Sequence, residues 1–294
     1  MEHLSVEIRA LSDGFFLSQE TYTEDILKKW SMSECRHIGS LEDVADESVA
    51  EPEEEPPLSE VRMAQRMAGG LNWLATRTRP DVAFVVSQLA SAATRAPQRA
   101  LALGKRVLRY LAGTRDHGLE LRCPQRFQGS GGTTAEDVRV LEAYGDASYE
   151  EGYGQTGVLI KFMGMTVCWK SCKQVQVPRS TAESEVTAMA YTAQYLEGLK
   201  ALFETMHVKL GIPALFCDNR AAVHLTASAG EWRTKALVNR ILGVRSLIDL
   251  QLIVVLFKPT LDMEAGVLTK FMGAKTLKRQ RELIGCVPLH HASK

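Results

Sequence analysis

Short apolar runs, alternations and longer helical stripes follow one another along these 294 residues and fall into two blocks. In the first, Val6 and Ile8 face Phe15, Phe16 and Leu17 across Ser12-Asp13-Gly14, a spacing that predicts a hairpin. Tyr22, Ile26, Leu27 and Trp30 then recur at helical intervals between Glu20 and Trp30. Three more helical patterns cover residues 60–76, 81–95 and 98–112, with Pro80 and Pro97 near helix starts, where a missing N–H is tolerated. In the second block, strands at 138–147, 155–161 and 165–171 precede a long helix over 180–207. Gly152, Gly154, Gly157 and Gly164 mark the turns of this meander. A strand at 213–218, helices at 219–227 and 233–249, a strand at 251–257 and a short helix at 263–271 follow. A meander followed by strand–helix–strand alternation predicts an α/β domain: a mixed five-stranded sheet flanked by helices, preceded by a mainly helical region.

Charge changes this picture in two places. Residues 41–60 carry nine carboxylates and three prolines with no Lys or Arg, a composition that predicts a disordered acidic insertion. From Val61 to Arg115 the sign reverses, with ten basic residues against the single acid Asp81. Arg62 and Arg66 share one helical face, as do Lys105, Arg106 and Arg109, which suits contacts to backbone phosphates. No aromatic ladder accompanies them, so base reading is not implied. Net charge is zero, and nucleic-acid affinity would have to come from such local patches. Residues 124–136, rich in Gly, Ser and Thr, read as a flexible linker. The tail from Lys275 is basic and expected to be exposed, and His290-His291 is too near the end to be a designed ligand pair. Six cysteines without a regular framework, and no signal-peptide pattern, predict a reducing intracellular setting, cytoplasm or nucleus. No apolar run reaches the length of a membrane span.

Three acidic residues are the candidate chemistry. Asp146 ends a strand, Glu185 lies a few residues into the long helix behind the capping candidates Ser180 and Thr181, and Asp218 ends a second strand. Two carboxylates at strand ends and one on a helix can converge from far apart in sequence. Converged, they would repel one another unless a cation neutralised them, and hard oxygen ligands favour Mg²⁺ or Mn²⁺. Three solvated carboxylates at element ends are the alternative.

The motifs AYGDASY, GVLI, VCWKSCKQ, STAESEVTAMAY, LFCDNRAAV, VVLFKPT and EAGVLTK occur in an order that resembles the ribonuclease H domain of copia-type LTR-retrotransposon Pol polyproteins, over about residues 140–272. The segments LNWLATRTRPDVAFVVSQLA and GKRVLRYLAGTRDHGL are similar to the thumb and connection of the same polyproteins, and the start of the chain resembles the end of a reverse-transcriptase palm. The paired aspartates of a polymerase motif do not occur, so polymerization is not expected of these residues alone. The resemblance implies a palm end at 1–40, the acidic insertion at 41–60, a thumb/connection-like region at 61–123, the linker at 124–136, a ribonuclease H-like domain at 137–274 and the basic tail at 275–294.

It also implies a reaction: two-metal hydrolysis of the RNA strand of RNA·DNA hybrids, with Mg²⁺ or Mn²⁺ ions about 3.5–4 Å apart. The implied metal ligands are Asp146, Glu185 and Asp218, with Glu185 preferred to Glu183 because Glu185 and Ala188 match the family's E-x-x-A spacing. Two departures stand out. Gly266 takes the place of the family's fourth carboxylate, and Thr234-Lys235-Ala236 lacks the histidine of its TKH motif. Three carboxylates do not balance two divalent ions, so the second ion should bind weakly. On a helix, Glu264 would point away from Gly266, whereas Asp262 would share its face, making Asp262 the candidate substitute. Two readings stay open: a working ribonuclease H, or an impaired remnant that binds hybrid or duplex nucleic acid without cutting. Other parts of a Pol polyprotein are the implied protein partners.

Overall fold

The computed structural model describes residues 2–43, 55–122, 139–149, 154–227 and 235–292. They divide into two compact units, one of residues 1–121 with 270–294 and one of residues 122–269. The linker at 124–136 and the middle of the acidic insertion lie outside the described residues.

The first unit opens with β1 (Glu2–His3), β2 (Val6–Leu11) and β3 (Gly14–Ser18), paired antiparallel. Leu11 sits opposite Gly14, which closes the hairpin around Ser12 and Asp13. Helix α1 (Glu20–Lys29) buries Thr23, Ile26 and Leu27, the spacing of a single face. Helix α2 (Leu58–Arg77) buries Val61, Ala64, Met67, Leu71 and Leu74, about one residue per turn. Pro80 starts a 3₁₀ turn (Pro80–Val82) that takes the first positions of the expected second helix, so α3 is confined to Ala83–Ala92. Pro97 begins α4 (Pro97–Ala112), where its missing N–H leaves no helical bond unmade. Strand β4 (His117–Arg122) follows.

The second unit is built on β5 (Leu141–Ser148), β6 (Gln155–Phe162), β7 (Met165–Lys173), α5 (Thr181–Thr205), β8 (Ala214–Cys217), α6 (Arg220–Ala227), α7 (Lys235–Asp249) and β9 (Val254–Phe257). Its sheet runs β7-β6-β5-β8-β9. The meander β5–β6–β7 is antiparallel, and β8 and β9 add parallel to β5 and to each other. Val186, Met189, Ala193 and Leu196 of α5, with Ile241 and Val244 of α7, cover Leu141, Ala143, Val158, Ile160, Leu215 and Cys217 of the sheet. A Cβ on Gly145 would lie 2.8 Å from Thr192 Oγ1, so only glycine lets α5 settle this closely on β5. The short helix expected at 263–271 is instead two 3₁₀ turns, Thr260–Asp262 and Glu264–Leu268, separated by extended Met263 (φ −75°, ψ 103°).

The chain then adds α8 (Ala274–Leu283), β10 (Cys286–Pro288) and α9 (Leu289–Ala292) to the first unit. Strand β10 pairs antiparallel with β4, completing a sheet β1-β2-β3-β4-β10 that the helical reading of this region does not anticipate. The expectation of an exposed basic tail is therefore corrected. Lys275, Lys278 and Arg279 are exposed, but Leu277, Gln280 and Ile284 share a face and are buried.

A buried polar network holds this tail in the unit. Arg79 and Asp81, with side chains 1% and 0% exposed, make a bidentate pair at 3.0 and 2.9 Å. Arg79 also donates to the Thr114 carbonyl (2.9 Å) and hydroxyl (2.8 Å). The Tyr110 hydroxyl donates to Asp81 Oδ2 at 2.7 Å and accepts from Arg281 of α8 at 3.0 Å. Burial alone would raise the Asp81 pKa, yet the Arg79 charge and the hydrogen bonds from Arg79 and Tyr110 hold it well below the usual carboxylate range. Removing one partner leaves the other charge buried and uncompensated. Asp81→Ala is therefore expected to cost the first unit about 3–5 kcal/mol in denaturant-unfolding measurements.

His117, beside this network, is held to a pKa of about 4 from an ordinary 6.5, first by burial and then by the charges of Arg79 and Arg281, against the opposing Asp81 and Asp116. Between those values the unfolded chain takes up the proton first. The stability it contributes is complete above pH 6.5 and lost as pH falls towards 4. His117→Gln should flatten the first unit's stability over that interval, by up to roughly 3 kcal/mol relative to the parent chain, in unfolding curves taken between pH 7 and pH 4.

Candidate metal centre

Strand pairing sets the site. In the parallel pair β5–β8, Ala143 lies beside Leu215 and Tyr144 beside Phe216. Two residues further along each chain stand Asp146 and Asp218, at the same ends of neighbouring strands, whose spacing is about 4.8 Å. Side chains alternate along a strand, so Asp146 shares the face of Tyr144, opposite Gly145 and helix α5. Tyr144 and Phe216 stack with centroids 5.1 Å apart, and Lys258 Nζ lies 4.5 Å from the Tyr144 ring centre.

The start of α5 distinguishes its two glutamates. The Ser180 hydroxyl accepts from the Glu183 N–H (3.2 Å), and Glu183 Oε2 accepts from the Arg179 N–H (2.9 Å). Glu183 thus serves the helix cap. Glu185 is 3% exposed, with Oε2 3.9 Å from Cys217 Sγ. Among the described residues, Glu185, Cys217 and Asp218 offer ligand atoms within 4.8 Å of one another. Asp146 lies outside that group, yet its charge reaches Cys217, whose thiol pKa is pushed well above its ordinary value by burial, then by Glu185, Asp218 and Asp146. Asp146 is 0% exposed and its Oδ2 accepts a hydrogen bond from the Thr269 hydroxyl.

Cys217 is the member of this group that sequence reasoning counts only among scattered thiols. Its signal is the position just before Asp218 in a strand whose alternate face meets α5. As a neutral thiol it is a poor partner for a hard cation, which leaves the carboxylates of Glu185 and Asp218 as the oxygen donors of this group.

The fourth position is bare of acid. Gly266 is buried in the turn Glu264–Leu268. Asp262 is exposed in the other turn, and because extended Met263 interrupts the path, the helical spacing that would bring Asp262 onto the face of Gly266 does not exist. Glu264 is committed elsewhere, its carboxylate ion-paired with buried Lys161 and, at 3.7 Å, with Lys258. Of the Thr234-Lys235-Ala236 stretch, Thr234 lies outside the described residues and α7 begins at Lys235.

In the first unit, Arg62 and Arg66 of α2 and Lys105 of α4 are exposed. Arg106 and Arg109 have partners: Arg106 pairs with Glu42 at 3.4 Å and donates to the Ser40 hydroxyl at 3.3 Å, and Arg109 donates to the Arg36 carbonyl at 2.9 Å. The sequence pattern shows a shared face but not these contacts with residues 36–42.

A mixed sheet in this order, with acids at the ends of its central parallel pair, is a ribonuclease H-like fold. No family model matches the chain. It is 28% identical over 290 residues to the Retrovirus-related Pol polyprotein from transposon RE2 of Arabidopsis thaliana, 97% of this chain and 19% of that one. To the Pol polyprotein from transposon TNT 1-94 of Nicotiana tabacum it is 27% identical over 284 residues, 93% of this chain and 20% of that one. It is also 36% identical over 131 residues to secreted RxLR effector protein 161 of Plasmopara viticola, covering 43% of this chain and 83% of that protein. A solved N-terminal RNase H domain from Mycobacterium tuberculosis superposes with a TM-score of only 0.36 at 9% identity, over 49% of this chain and 96% of that one.

The chain is thus similar to retrotransposon Pol polyproteins and spans about a fifth of their length. Among the described residues, no helix is long and apolar enough to cross a membrane.

Proposed function

We propose that the second unit is a ribonuclease H-type hydrolase centre for the RNA strand of RNA·DNA hybrids, with Asp146, Glu185 and Asp218 as its metal ligands. The observation that carries this reading is the register of β5 on β8, which puts Asp146 and Asp218 at one sheet edge, while Glu185 of α5 reaches the same ground beside Cys217. Carboxylates collected in this way, Asp146 and Glu185 buried and Asp218 half-buried, suit a hard divalent cation, Mg²⁺ or Mn²⁺. Such ions, when bound, supply an activated water and stabilise the leaving oxygen of a phosphodiester. Glu185 and Asp218 are close enough to hold one ion together. Asp146, buried and oriented by Thr269, faces the same edge from the neighbouring strand. The 2′-hydroxyls of the hybrid's RNA strand are the feature by which such a site tells RNA from DNA. Exposed Arg62, Arg66 and Lys105 of the first unit are the groups we assign to backbone phosphates.

A second reading rests on Gly266. With Glu264 tied to Lys161 and Asp262 on a separate exposed turn, three carboxylates remain for two divalent ions. In this reading the chain holds nucleic acid without cutting it.

Cleavage of an end-labelled RNA·DNA hybrid, with Mg²⁺ or Mn²⁺, tests the pair. Metal-dependent cutting that falls by about two orders of magnitude in Asp146→Asn is the expected result. No cutting, alongside tight and salt-sensitive binding, favours the second reading instead. Gly266→Asp adds the absent charge and is expected to lower the Mg²⁺ concentration for half-maximal cleavage roughly fivefold, as ligand charge count tunes cation affinity.

A further inference from the structure

The turn Glu264–Leu268 is fixed against the sheet with unusual thoroughness for a segment that lacks the family's carboxylate. A Cβ on Gly157 of β6 would stand 2.8 Å from Thr269 Cγ2, 2.9 Å from the Ala265 carbonyl oxygen and 2.9 Å from Leu268 Cβ. Glycine at 157 therefore allows the turn to press on the strand. The Ser171 hydroxyl of β7 donates to the Leu268 carbonyl at 2.6 Å and accepts from Gln155 Nε2 at 2.7 Å. On the turn's other flank, Glu264 is ion-paired with Lys161 of β6. These ties fix the turn that leads into Thr269, which is 0% exposed.

The Thr269 hydroxyl has one proton to give. The Gly266 carbonyl lies 3.2 Å away, while Asp146 Oδ2 is nearer and charged, so the carboxylate receives it. The segment that meets Asp146 thus delivers a hydroxyl donor. We propose that Thr269 is a positioning residue of the centre, holding the Asp146 carboxylate in the orientation in which it takes a divalent cation. The inference rests on the metal-centre reading above. A carboxylate held by a fixed donor loses less freedom when an ion binds. Groups that orient ligands in this way typically account for about 10–100-fold in metal affinity.

The test uses the full chain and Mn²⁺ alone, with free Mn²⁺ followed by electron paramagnetic resonance and melting recorded without metal. Thr269→Val keeps the shape and removes the donor. It should melt near the parent chain and bind Mn²⁺ about tenfold more weakly, while Thr269→Ser, which keeps the hydroxyl, stays within about twofold. If the parent chain binds Mn²⁺ and Thr269→Val binds equally or more tightly, the positioning role is overturned and the metal centre stands. If the parent chain binds no Mn²⁺, or Asp146→Asn binds as well as the parent, the metal-centre reading falls and takes this inference with it. Should Thr269→Val fail to fold, Ser171→Ala releases the Leu268 carbonyl and lets the turn shift. It is then expected to weaken Mn²⁺ binding severalfold, and unchanged affinity overturns the proposal.

Discussion

The parallel pairing of β5 with β8 is the constraint on which the second unit's chemistry depends. Parallel neighbours run the same way, so the residues just beyond their carboxyl ends meet at one edge of the sheet. With Tyr144 beside Phe216, Asp146 and Asp218 each stand two residues past the last pair, at the same ends of the two strands. A slip of one residue would swing Asp146 onto the face that α5 covers and strand its charge among Val186, Met189 and Ala193. The register is held from both sides: β6 pairs with β5 over its whole length, and β9 pairs with β8. That is how Asp146 can be buried at 0% exposure, since it is set by strands whose apolar faces are already committed to the core.

Much of this was legible in the residues. The apolar alternation of β5 and β6, the capping serine ahead of α5 and the run ending at Asp218 are local signals, and the elements they indicate are present with shifts of a few residues at their ends. Local signals also explain the misses. Glu264 to Leu268 has a helical composition, but the ion pair to Lys161 and the press against Gly157 hold it as a 3₁₀ turn, and both partners are about a hundred residues away in sequence. The tail after Lys275 reads as basic because most of α8 faces solvent. Its narrow stripe of Leu277, Gln280 and Ile284 gains meaning only when β4 offers an edge to β10. Arg106 and Arg109 share a helical face in the sequence, and the contacts they make with Glu42 and Arg36, 64 and 73 residues away, are invisible to a local reading. For the turn and the tail, a long-range contact overrode a correct local pattern.

The two units manage buried charge in different ways. In the first, Arg79 meets Asp81 with matched geometry, and further donors and acceptors go to Thr114 and Tyr110, so the buried carboxylate is paired within the network. In the second, Asp146, Glu185 and Asp218 are all acids, and their charges push the buried Cys217 thiol further from ionising. On the proposed reading, a bound cation is what this cluster of like charges is arranged to receive.

The Lys161–Glu264 pair decides what the missing fourth acid means. Lys161 is 5% exposed on β6, a position an ammonium group tolerates only with a partner. Glu264 supplies such a partner, and turning it towards Gly266 would give up this buried ion pair. The glutamate two residues from the gap is thus held away from it by the fold itself, and Asp262 is kept away by the break at Met263. What the turn can offer the centre is the hydroxyl of Thr269, a neutral donor that orients Asp146 but adds no charge. On the proposed reading, the charge count of the site stays at three carboxylates, and a stronger grip on a second ion would come from the phosphate of a bound nucleic acid. Cation and substrate binding would then reinforce each other at this centre.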